Sequence, residues 1–301
     1  MHVLNFGSLN IDHTYRVESI ALPGMTVDAS GLSLHCGGKG LNQSVAIARA
    51  GTAVSHAGAV GQDGAMLLQL LDSCNVDTRH VAVTDGATGH AVIQVSSSGE
   101  NAIVILGGAN QQIDRNQIQS VLDHFSAGDY IVLQNEIANV PYIIRQAHNR
   151  QMVVCFNPSP MTEAIRDYPL DLVDYLFINE TEGMLLSGQH QREHVIEILR
   201  DRYPRCNIIF TLGKDGVIYA GTEGTFTHGI FETEVVDTTG AGDTFCGFFI
   251  ACICQGHSIP TSLKIASKAS SLCVSRPGAA PSIPSMEECI YSLEGGLPQS
   301  N

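Results

Sequence analysis

The stretch DTTGAGDTF, residues 237–245, places two acids and two glycines directly before an apolar run. Gly240 and Gly242 allow backbone conformations that a side chain would forbid, so successive N–H groups can point at one anion. The run at about 244–255 is predicted to be a helix, whose N-terminus adds positive charge at the same point. Asp243 would stand beside this anion hole, where it can take a proton from a hydroxyl. The stretch predicts a phosphoryl-transfer site, although a turn followed by a helix cap is an alternative.

A second glycine-rich element, GGKGLNQS at residues 37–44, lies near the other end of the chain and also precedes an apolar helical run. Two glycine loops that each open a helix rarely occur together by chance. Their pairing weakens the interpretation of either loop as a plain turn.

Short β-branched runs alternate with amphipathic stretches along most of the chain. This alternation is typical of a parallel sheet with helices on both faces, so it predicts an α/β fold. The predicted strands are residues 3–6, 54–57, 130–133, 152–156, 175–178 and 207–211. The predicted helices are residues 42–50, 65–71, 116–125, 140–149, 195–200, 244–255 and 262–274.

Two segments interrupt this alternation. Residues 11–36 contain no clear helix, and residues 91–106 form two β-rich runs separated by SSSGEN, which predicts a hairpin. We therefore predict a small β-sheet that stands off the main body as a lid, built from about 11–36 and 86–106. The chain has no solenoid repeat and no linker rich in Pro, Gly or Ser, so residues 1–301 are expected to form a single domain.

Composition limits the classes of function. The chain has 301 residues, of which 44% are hydrophobic and 15% charged, enough to bury a large core. Its net charge of -14 argues against a nucleic-acid or anionic-membrane partner, because the long-range field would be repulsive. The N-terminus lacks a basic segment followed by an apolar run, and the nine cysteines include no CxxC pair, so we expect a cytoplasmic, reduced protein.

Taken together, the motifs resemble those of the ribokinase family of sugar kinases, also called the phosphofructokinase-B family, over nearly the whole chain. The resemblance is carried by GSLNID at 7–12, GGKGLNQSVA at 37–46, NETE at 179–182, TLGKDG at 211–216, DTTGAGDTF at 237–245 and RPGAAPSIP at 276–284. It implies a Rossmann-like three-layer α/β/α body, a β lid that forms a homodimer contact, and MgATP-dependent phosphorylation of an exocyclic sugar hydroxyl.

The resemblance also implies roles for individual residues at the sugar. Asp243 matches the catalytic base, and the amides of Gly240, Ala241 and Gly242 match the anion hole. The sugar ligands that match are Asn10, Asp12, Gly38, Lys39, Asn42, Glu136 and Asp243. A carboxylate suits this role because it can accept two hydrogen bonds from vicinal hydroxyls. The alternatives are a strand-end turn for GSLNID and a helix N-terminus for GGKG.

Further matches concern the nucleotide and the metal ions. The nucleotide residues implied are Asn179, Thr211, Gly213, Gly216 and Gly242, with Glu182 near Mg²⁺ through water. A cage for a monovalent cation, which implies K⁺ activation, matches Asp237, Thr239, Cys273, Arg276, Gly278 and Ser282. Each motif has a structural alternative: a capping box for NETE, a β-turn for TLGKDG, and a rigid Pro-Gly turn for the cage.

These inferences predict that D-ribose is phosphorylated at its 5-hydroxyl to ribose 5-phosphate. The alternatives are a kinase of the same family acting on 2-deoxyribose, a nucleoside or another sugar, and a non-catalytic sugar-binding protein. Asn10, Asp12 and Lys39 favour a free pentose, because no apolar slot for a base can be identified beside them. A P-loop kinase is excluded since GxxxxGK[ST] is missing, and GAVGQDG at 58–64 has the wrong glycine spacing for a dinucleotide dehydrogenase.

Overall fold

Strands and helices alternate along residues 1–295, the part of the chain that the computed structural model describes. The strands are β1 Val3–Phe6, β2 Asn10–Val17, β3 Ala29–Gly37, β4 Val54–Val60, β5 Asp77–Val83, β6 Gly89–Val95, β7 Asn101–Leu106, β8 Tyr130–Gln134, β9 Val153–Asn157, β10 Tyr175–Asn179, β11 Asn207–Thr211, β12 Val217–Gly221 and β13 Gly224–His228. The helices are α1 Lys39–Arg49, α2 Ala65–Ser73, α3 Arg115–Leu122, α4 Val140–Asn149, α5 Glu180–Ser187, α6 Arg192–Arg202, α7 Ala241–Cys254, α8 Ile259–Val274 and α9 Met286–Leu293.

The main sheet has nine strands in the order β13-β12-β11-β10-β9-β8-β1-β4-β5. The strands from β5 to β11 in this order run parallel, while β12 and β13 add an antiparallel hairpin at one edge. Adjacent residues of a strand point to opposite faces, so Val3 belongs to one core and Leu4 to the other. Helices α1, α2, α7, α8 and α9 cover the first face, and α3 to α6 cover the second. The predicted three-layer α/β/α fold is confirmed.

Helix α7 is the most deeply placed helix of the first layer, because it packs between α1 and α8. Every residue from Asp243 to Ile253 is buried, so this helix needs no polar face. Each large apolar side chain buried in this way stabilises the fold by about 1.5–3 kcal/mol. The acid at the N-terminus of α7 is therefore carried by a firmly held element.

A smaller sheet, which we call the lid, contains four strands in the order β3-β2-β6-β7. Strand β2 pairs antiparallel with β3 and parallel with β6, and β6 pairs antiparallel with β7. All four strands fall within or next to the two segments predicted to form a small sheet. Strand β2 follows β1 after a short link, and β3 runs into α1 through Gly38. The lid is thus joined to the main body beside the ends of β1 and α1.

Most predicted elements form, with ends shifted by a few residues. The predicted helix 116–125 stops earlier, at Leu122, and the predicted helix 195–200 extends in both directions to become α6. Strand β5, the β12–β13 hairpin and helices α5 and α9 were not predicted as elements. Residues 276–284 form the predicted loop and contain a single 3₁₀ turn, Ala280–Ser282.

No helix in the described part of the chain is both long and apolar enough to cross a membrane.

Candidate functional site

The predicted site residues gather at one edge of the main sheet, where its parallel strands end. Asn10 follows β1, Glu136 follows β8, and Asn179 and Thr211 are the last residues of β10 and β11. Ligands of open α/β sheets bind at the carboxyl ends of the strands. The N-termini of α1, α5 and α7 lie at the same edge. Helix α5 begins directly after β10, and the first turns of α1 and α7 are joined by the hydrogen bond between Asn42 and Asp243.

The N-terminus of α7 has an open side. Gly240 is the N-cap and lies in the left-handed region with a φ of 76°, and no side chain caps the helix. A Cβ on Gly242 would meet nothing within 4 Å, so its backbone faces open space. The N–H of Ala241 is partly engaged, because it donates a long hydrogen bond of 3.3 Å to the Thr238 carbonyl oxygen. The amide of Gly242 is therefore the better placed of the predicted anion-hole donors.

Asp243 lies one turn into this N-terminus and is 8% exposed. Its Oδ2 accepts a hydrogen bond of 3.0 Å from Asn42 Nδ2, and its Oδ1 accepts one of 3.0 Å from Gln43 Nε2. Both donors belong to α1, so the packing of α1 on α7 orients the carboxylate. Amide donors stabilise the ionised form of a carboxylate, which is the form that a general base requires.

Asp12, on β2 of the lid, is a partly buried carboxylate with no hydrogen-bond partner among residues 1–295. Its Oδ2 lies directly against the Cα of Gly37, where an added Cβ would overlap with it. Burial, and to a smaller extent the charge of Glu136, raises the pKa of Asp12 to about 6, while the charge of His35 opposes the shift. A carboxylate held without protein donors is ready to accept hydrogen bonds from a ligand.

Glu136, which follows β8, lies on the other side of the cleft between the lid and α1. Its Oε2 accepts hydrogen bonds from Ser8 Oγ and, at 3.0 Å, from the backbone N–H of Lys39. Burial raises the pKa of Glu136, while the hydrogen bond from Ser8 and the charge of Lys39 oppose that rise. Asp12 and Glu136 therefore form an acidic wall opposite Asp243.

Asn10 and Gly38 meet at the base of the lid. Asn10 Oδ1 accepts a hydrogen bond of 2.8 Å from Asn110 Nδ2, which leaves the Asn10 NH₂ group available as a donor. Gly38 has a φ of 98°, and a Cβ there would lie 2.9 Å from the Ser8 carbonyl oxygen. Only glycine fits this position, because the conformation and the space both exclude a side chain.

Lys39 begins α1 between the cleft and the N-terminus of α7. The charge of Asp243 raises the pKa of Lys39, burial opposes this shift, and the charges of Glu136 and Glu182 raise the pKa further. Its ammonium group is therefore positive and lies in the field of three carboxylates. Such a charge can compensate a negative group that enters the site.

A cavity of about 760 Å³ opens on the other side of α7. The five residues predicted for the nucleotide all line it: Asn179, Thr211, Gly213, Gly216 and Gly242. Its far end is apolar and is formed by Ile230, Phe231, Val235, Phe245 and Val274. Cavities of 300–1,000 Å³ with apolar walls and few polar groups commonly hold cofactor-sized ligands. Sequence reasoning missed the apolar wall, because its residues lie on the loop after β13 and on α7 and α8, with no motif to mark them.

Glu182 is predicted to lie near Mg²⁺, and it also caps a helix. With Asn179 it forms a complete capping box at the start of α5: Asn179 Oδ1 accepts from the Glu182 N–H, and Glu182 Oε2 accepts from the Asn179 N–H, both at 2.9 Å. The structural alternative for NETE is therefore realised. Burial raises the pKa of Glu182, which is 4% exposed, although the hydrogen bond from Asn179 opposes this rise.

The carboxylates beside the cavity are compatible with a Mg²⁺ ion that is bound mainly by the phosphates of a substrate. Within residues 1–295, no three His, Cys, Asp or Glu side chains come together to form a metal site. Mg²⁺ usually keeps several waters and binds through one or two carboxylates plus substrate phosphates. Glu182 supplies one carboxylate next to Asn179, which lines the cavity, and one of its oxygens belongs to the capping box. The carboxylate is 4% exposed and lies behind the cavity wall, so it fits a contact through water and not direct coordination.

The residues predicted to cage a monovalent cation also lie together. Asp237 Oδ1 accepts a hydrogen bond of 2.9 Å from the Thr239 N–H, and its Oδ2 accepts one of 2.9 Å from the Gly278 N–H. Cys273 Sγ lies 3.0 Å from Ser282 Oγ and 3.8 Å from the Thr239 carbonyl oxygen. Burial opposes ionisation of Asp237, but the hydrogen bonds from Thr239 and Gly278 outweigh it and lower its pKa. A carboxylate and the Thr239 carbonyl oxygen are oxygen ligands of the kind that a cation prefers, and the rigid turn of the structural alternative is present as well.

Arg276 differs from the other members of this group. Its guanidinium is directed to the helix α9, where Nη2 donates a hydrogen bond of 2.6 Å to Glu288 Oε1. The side chain of Arg276 therefore anchors the loop, and only its backbone can belong to the cage.

Three contributors to the site were not predicted as site residues. Gln43 and Ser8 stand inside recognised motifs, next to Asn42 and two residues before Asn10, and these positions were the available signal. Asn110 follows the lid and carries no local pattern, yet it bonds the backbone of Leu9 at both its N–H and its C=O.

The chain belongs to the pfkB family of carbohydrate kinases, whose model matches residues 2–286. The predicted family and the predicted class of enzyme, a carbohydrate kinase, are thereby confirmed.

Individual relatives extend this match over the full chain. The ribokinase of Schizosaccharomyces pombe is 33% identical, with 96% of each protein covered. A structure of Cryptococcus neoformans ribokinase in complex with ADP is 31% identical with a TM-score of 0.87, covering 97% of this chain and 99% of that one. A structure of Arabidopsis thaliana ribokinase complexed with ribose and ATP is 29% identical with a TM-score of 0.86, covering 97% of this chain and 98% of that one.

Proposed function

We propose that this kinase transfers the γ-phosphoryl group of ATP to the 5-hydroxyl of D-ribose, giving ribose 5-phosphate and ADP. The observation that carries the proposal is the position of Asp243, a buried and oriented carboxylate between an acid-lined cleft and a cavity of about 760 Å³. The similarity to ribokinases over nearly the whole chain, including one bound to ribose and ATP, supports ribose as the sugar.

The cleft between the lid and α1 is proposed to hold the sugar. Asp12 accepts hydrogen bonds from two neighbouring ring hydroxyls, and the NH₂ group of Asn10 donates to a third. The backbone at Gly38 can approach the ring closely because no side chain intervenes. Asn42 and Glu136 complete the pocket, and the exocyclic hydroxyl is directed at Asp243.

Asp243 is proposed to act as the general base. Its carboxylate takes the proton of the sugar hydroxyl as the oxygen forms a bond to the γ-phosphorus, and the bond from that phosphorus to the bridging oxygen of ADP breaks. The N-terminus of α7, and the Gly242 amide above all, stabilises the negative charge on the transferred group. The ammonium of Lys39 adds a second positive charge on the sugar side.

The cavity on the far side of α7 is proposed to hold ATP. Its apolar end suits an adenine ring, and the residues at the ends of β10 and β11 lie on the phosphate side. Mg²⁺, when bound, neutralises phosphate charge, and Glu182 would hold it through water. K⁺ would sit among the carbonyl oxygens near Asp237 and Thr239, directly before Gly240, and so would stabilise the anion-hole loop.

The lid is proposed to form a homodimer contact, as the family resemblance implies. Residues on the lid face opposite Asp12 are apolar and exposed: Leu32, Leu34, Val104 and Leu106. These side chains lie on the two edge strands of one sheet face, and an exposed apolar sheet face is typical of a protein interface.

Turnover of ATP against a panel of acceptors tests the proposed substrate. We expect kcat/KM to be highest for ribose among ribose, 2-deoxyribose, fructose, adenosine and uridine, and K⁺ to raise the rate. Preference for 2-deoxyribose or a nucleoside would replace ribose as the substrate while leaving the phosphoryl-transfer site in place. Sugar binding without any ADP release would contradict the proposed reaction itself.

A further inference from the structure

We infer that Gln43 is a positioning residue for Asp243, and that a buried chain of amide side chains behind it fixes the orientation of the base. This inference rests on the proposed function of Asp243. It adds a residue that makes no contact with sugar or nucleotide and acts only through the carboxylate.

Gln43 is fully buried on the face of α1 that packs against α7. Its Nε2 donates to Asp243 Oδ1 at 3.0 Å, while the neighbouring Asn42 donates to the other oxygen. Asn42 is 6% exposed and is also proposed to contact the sugar. Gln43 is fully buried, and its side chain bonds only Asp243 and Gln134.

The amide of Gln43 has only one possible orientation. An ionised carboxylate can only accept, so the NH₂ group must face Asp243 and Oε1 must face away. That oxygen accepts a hydrogen bond of 2.8 Å from Gln134 Nε2, at the end of β8. Gln134 Nε2 donates its other hydrogen to Asn5 Oδ1 at 3.0 Å. Reversing either amide would bring two oxygens or two NH₂ groups together.

The orientation of the Gln134 amide costs free energy, which indicates that its two hydrogen bonds determine this orientation. Gln134 Oε1 is buried and has no hydrogen-bond partner within residues 1–295. A buried carbonyl oxygen without a partner is destabilising. Gln134 keeps this orientation because both of its hydrogens are used, one of them to fix Gln43.

The chain continues to a neutral histidine. Asn5 Nδ2 donates to Ser44 Oγ at 2.8 Å and to the Gly40 carbonyl oxygen at 2.7 Å, so the Ser44 hydroxyl donates to His56 Nδ1. His56 then carries its hydrogen on Nε2, which lies 3.2 Å from the Gly7 carbonyl oxygen. Burial lowers the pKa of His56 to about 4, so the network stays uncharged near neutral pH.

Loss of Gln43 frees the carboxylate of Asp243 to rotate on its Oδ1 side, which misplaces the proton acceptor. The other charged or titratable groups that face Asp243 are Lys39 on α1, Glu136 after β8 and Cys246 on α7, and none of them changes in the experiment below.

The test compares the steady-state kinetics of Gln43→Met with those of the unaltered protein, because methionine keeps the volume and removes the amide. We expect kcat to fall by roughly 10- to 100-fold, the scale of a small misplacement of a catalytic group. The KM values for sugar and ATP should stay within about threefold, because Gln43 acts only through Asp243. Gln134→Met should lower kcat in the same way by a smaller amount.

A matched control is Asn207→Ala, which removes a buried amide that bonds Tyr219 and Thr222 at the start of β11, the end of this strand away from the site. This variant should lower the melting temperature while leaving kcat unchanged. If Gln43→Met lowers only the melting temperature, as the control does, Gln43 is purely structural and the inference fails. Gln43→Glu is nearly isosteric and replaces the donating NH₂ group by an oxygen, so it should lower kcat at least as far with the same KM values. An unchanged kcat in this variant would also overturn the inference. Full turnover by Asp243→Asn would instead refute the proposed base.

Discussion

Asp243 is 8% exposed, and each of its two carboxylate oxygens accepts a hydrogen bond from an amide side chain of α1. A buried carboxylate needs such partners, because a buried polar group without them is costly. The two amides also fix the orientation of the carboxylate, so the direction of the proton acceptor is set by the packing of α1 on α7.

Replacing this carboxylate by an amide tests its role directly. For Asp243→Asn we expect turnover to fall by about 100-fold to 10,000-fold, the range for lost general-base catalysis. Binding of sugar and ATP should change little, because asparagine has the same size. Steady-state kinetics and calorimetric titration of each ligand measure the two effects separately. Near-normal turnover would contradict the assignment.

The raised pKa of Asp12 predicts that sugar binding depends on pH. Its pKa in the folded protein is about 6, compared with an ordinary value of 3.8. Because the ionised form accepts hydrogen bonds from the sugar, we expect affinity for sugar to weaken as the pH falls through 6, while ATP affinity changes little. Titration calorimetry between pH 5 and pH 8 measures this. An affinity for sugar that stays constant over this range would exclude Asp12 as an ionised ligand.

The same shift predicts the effect of Asp12→Asn on stability. Between the ordinary pKa and the folded pKa, the folded protein holds a proton that the unfolded chain has lost, so the free energy of unfolding decreases as the pH rises through this window. Removing the charge should therefore stabilise the sugar-free protein at pH 7, by on the order of 1 to 2 kcal/mol allowing for partial exposure, and should have little effect at pH 4. Thermal unfolding at both pH values provides the comparison, with weakened sugar affinity as the companion effect.

Individual site residues differ in how far the sequence could identify them. Asp243, Gly240 and Gly242 were recognisable, because the glycines and the acid must be close in sequence to build one helix N-terminus. Gln43 and Asn110 were not, since their partners lie far away along the chain. A glutamine on a helix next to an asparagine has no local feature that says which carboxylate it will meet.

At the scale of elements, the approach of α1 to α7 depends on Gly247. A Cβ at this position would overlap with Ala46 Cβ and lie 3.0 Å from the Gln43 carbonyl oxygen. The two helices can therefore pack closely only because this side chain is missing. Since α1 supplies both amide partners of Asp243, the spacing of these helices also sets the geometry of the base.

Gly247→Ala should push the two helices apart. We expect a loss of roughly 1 to 3 kcal/mol in the free energy of unfolding, the usual range for overpacking a core, together with a lower kcat. Chemical denaturation and steady-state kinetics measure the two effects. The double variant Gly247→Ala with Ala46→Gly should recover part of both, because it removes one of the overlapping Cβ atoms, and strict additivity of the two single changes would argue against the contact.

Elements were predictable where a long apolar pattern determines the structure. The parallel strands of the sheet centre and helices α7 and α8 have such patterns. Strand β5 and the β12–β13 hairpin lie at the two edges of the sheet, where fewer neighbours require apolar side chains and the pattern is weaker. Helix α9 is short, and its capping box at Ser285 and Glu288 was the available signal.

At the scale of the molecule, the outer face of the lid predicts an association between two copies. Val104 on β7 is 70% exposed and shares its face with Leu34 on β3. Val104→Lys should therefore convert a dimer to a monomer in sedimentation experiments. The control Val83→Lys introduces the same charge at the exposed edge strand β5, where the valine is 56% exposed, and should leave the assembly unchanged. A wild-type protein that sediments as a monomer at micromolar concentration would refute the proposed contact.

The single domain, the cytoplasmic location and the activation by K⁺ stay predictions at this scale. The overall α/β/α architecture was predictable because the alternation of strands and helices extends over most of the chain. The cavity for a nucleotide was predictable only in part, since its apolar wall is assembled from three separate segments.

The lid is joined to the body at one end of its sheet, where β2 begins at Asn10 and β6 at Gly89, and where β3 ends at Gly37 and β7 at Leu106. Any tilt of this sheet carries Asp12 away from Asp243 and takes one wall of the cleft with it. When only the nucleotide is bound, no sugar hydroxyl is then in position to receive the phosphoryl group. Water that enters the cleft is neither held nor aligned for attack. Hydrolysis of ATP by water in the absence of sugar should consequently be slow. ATP then stays intact until a sugar binds and brings the lid towards the main body.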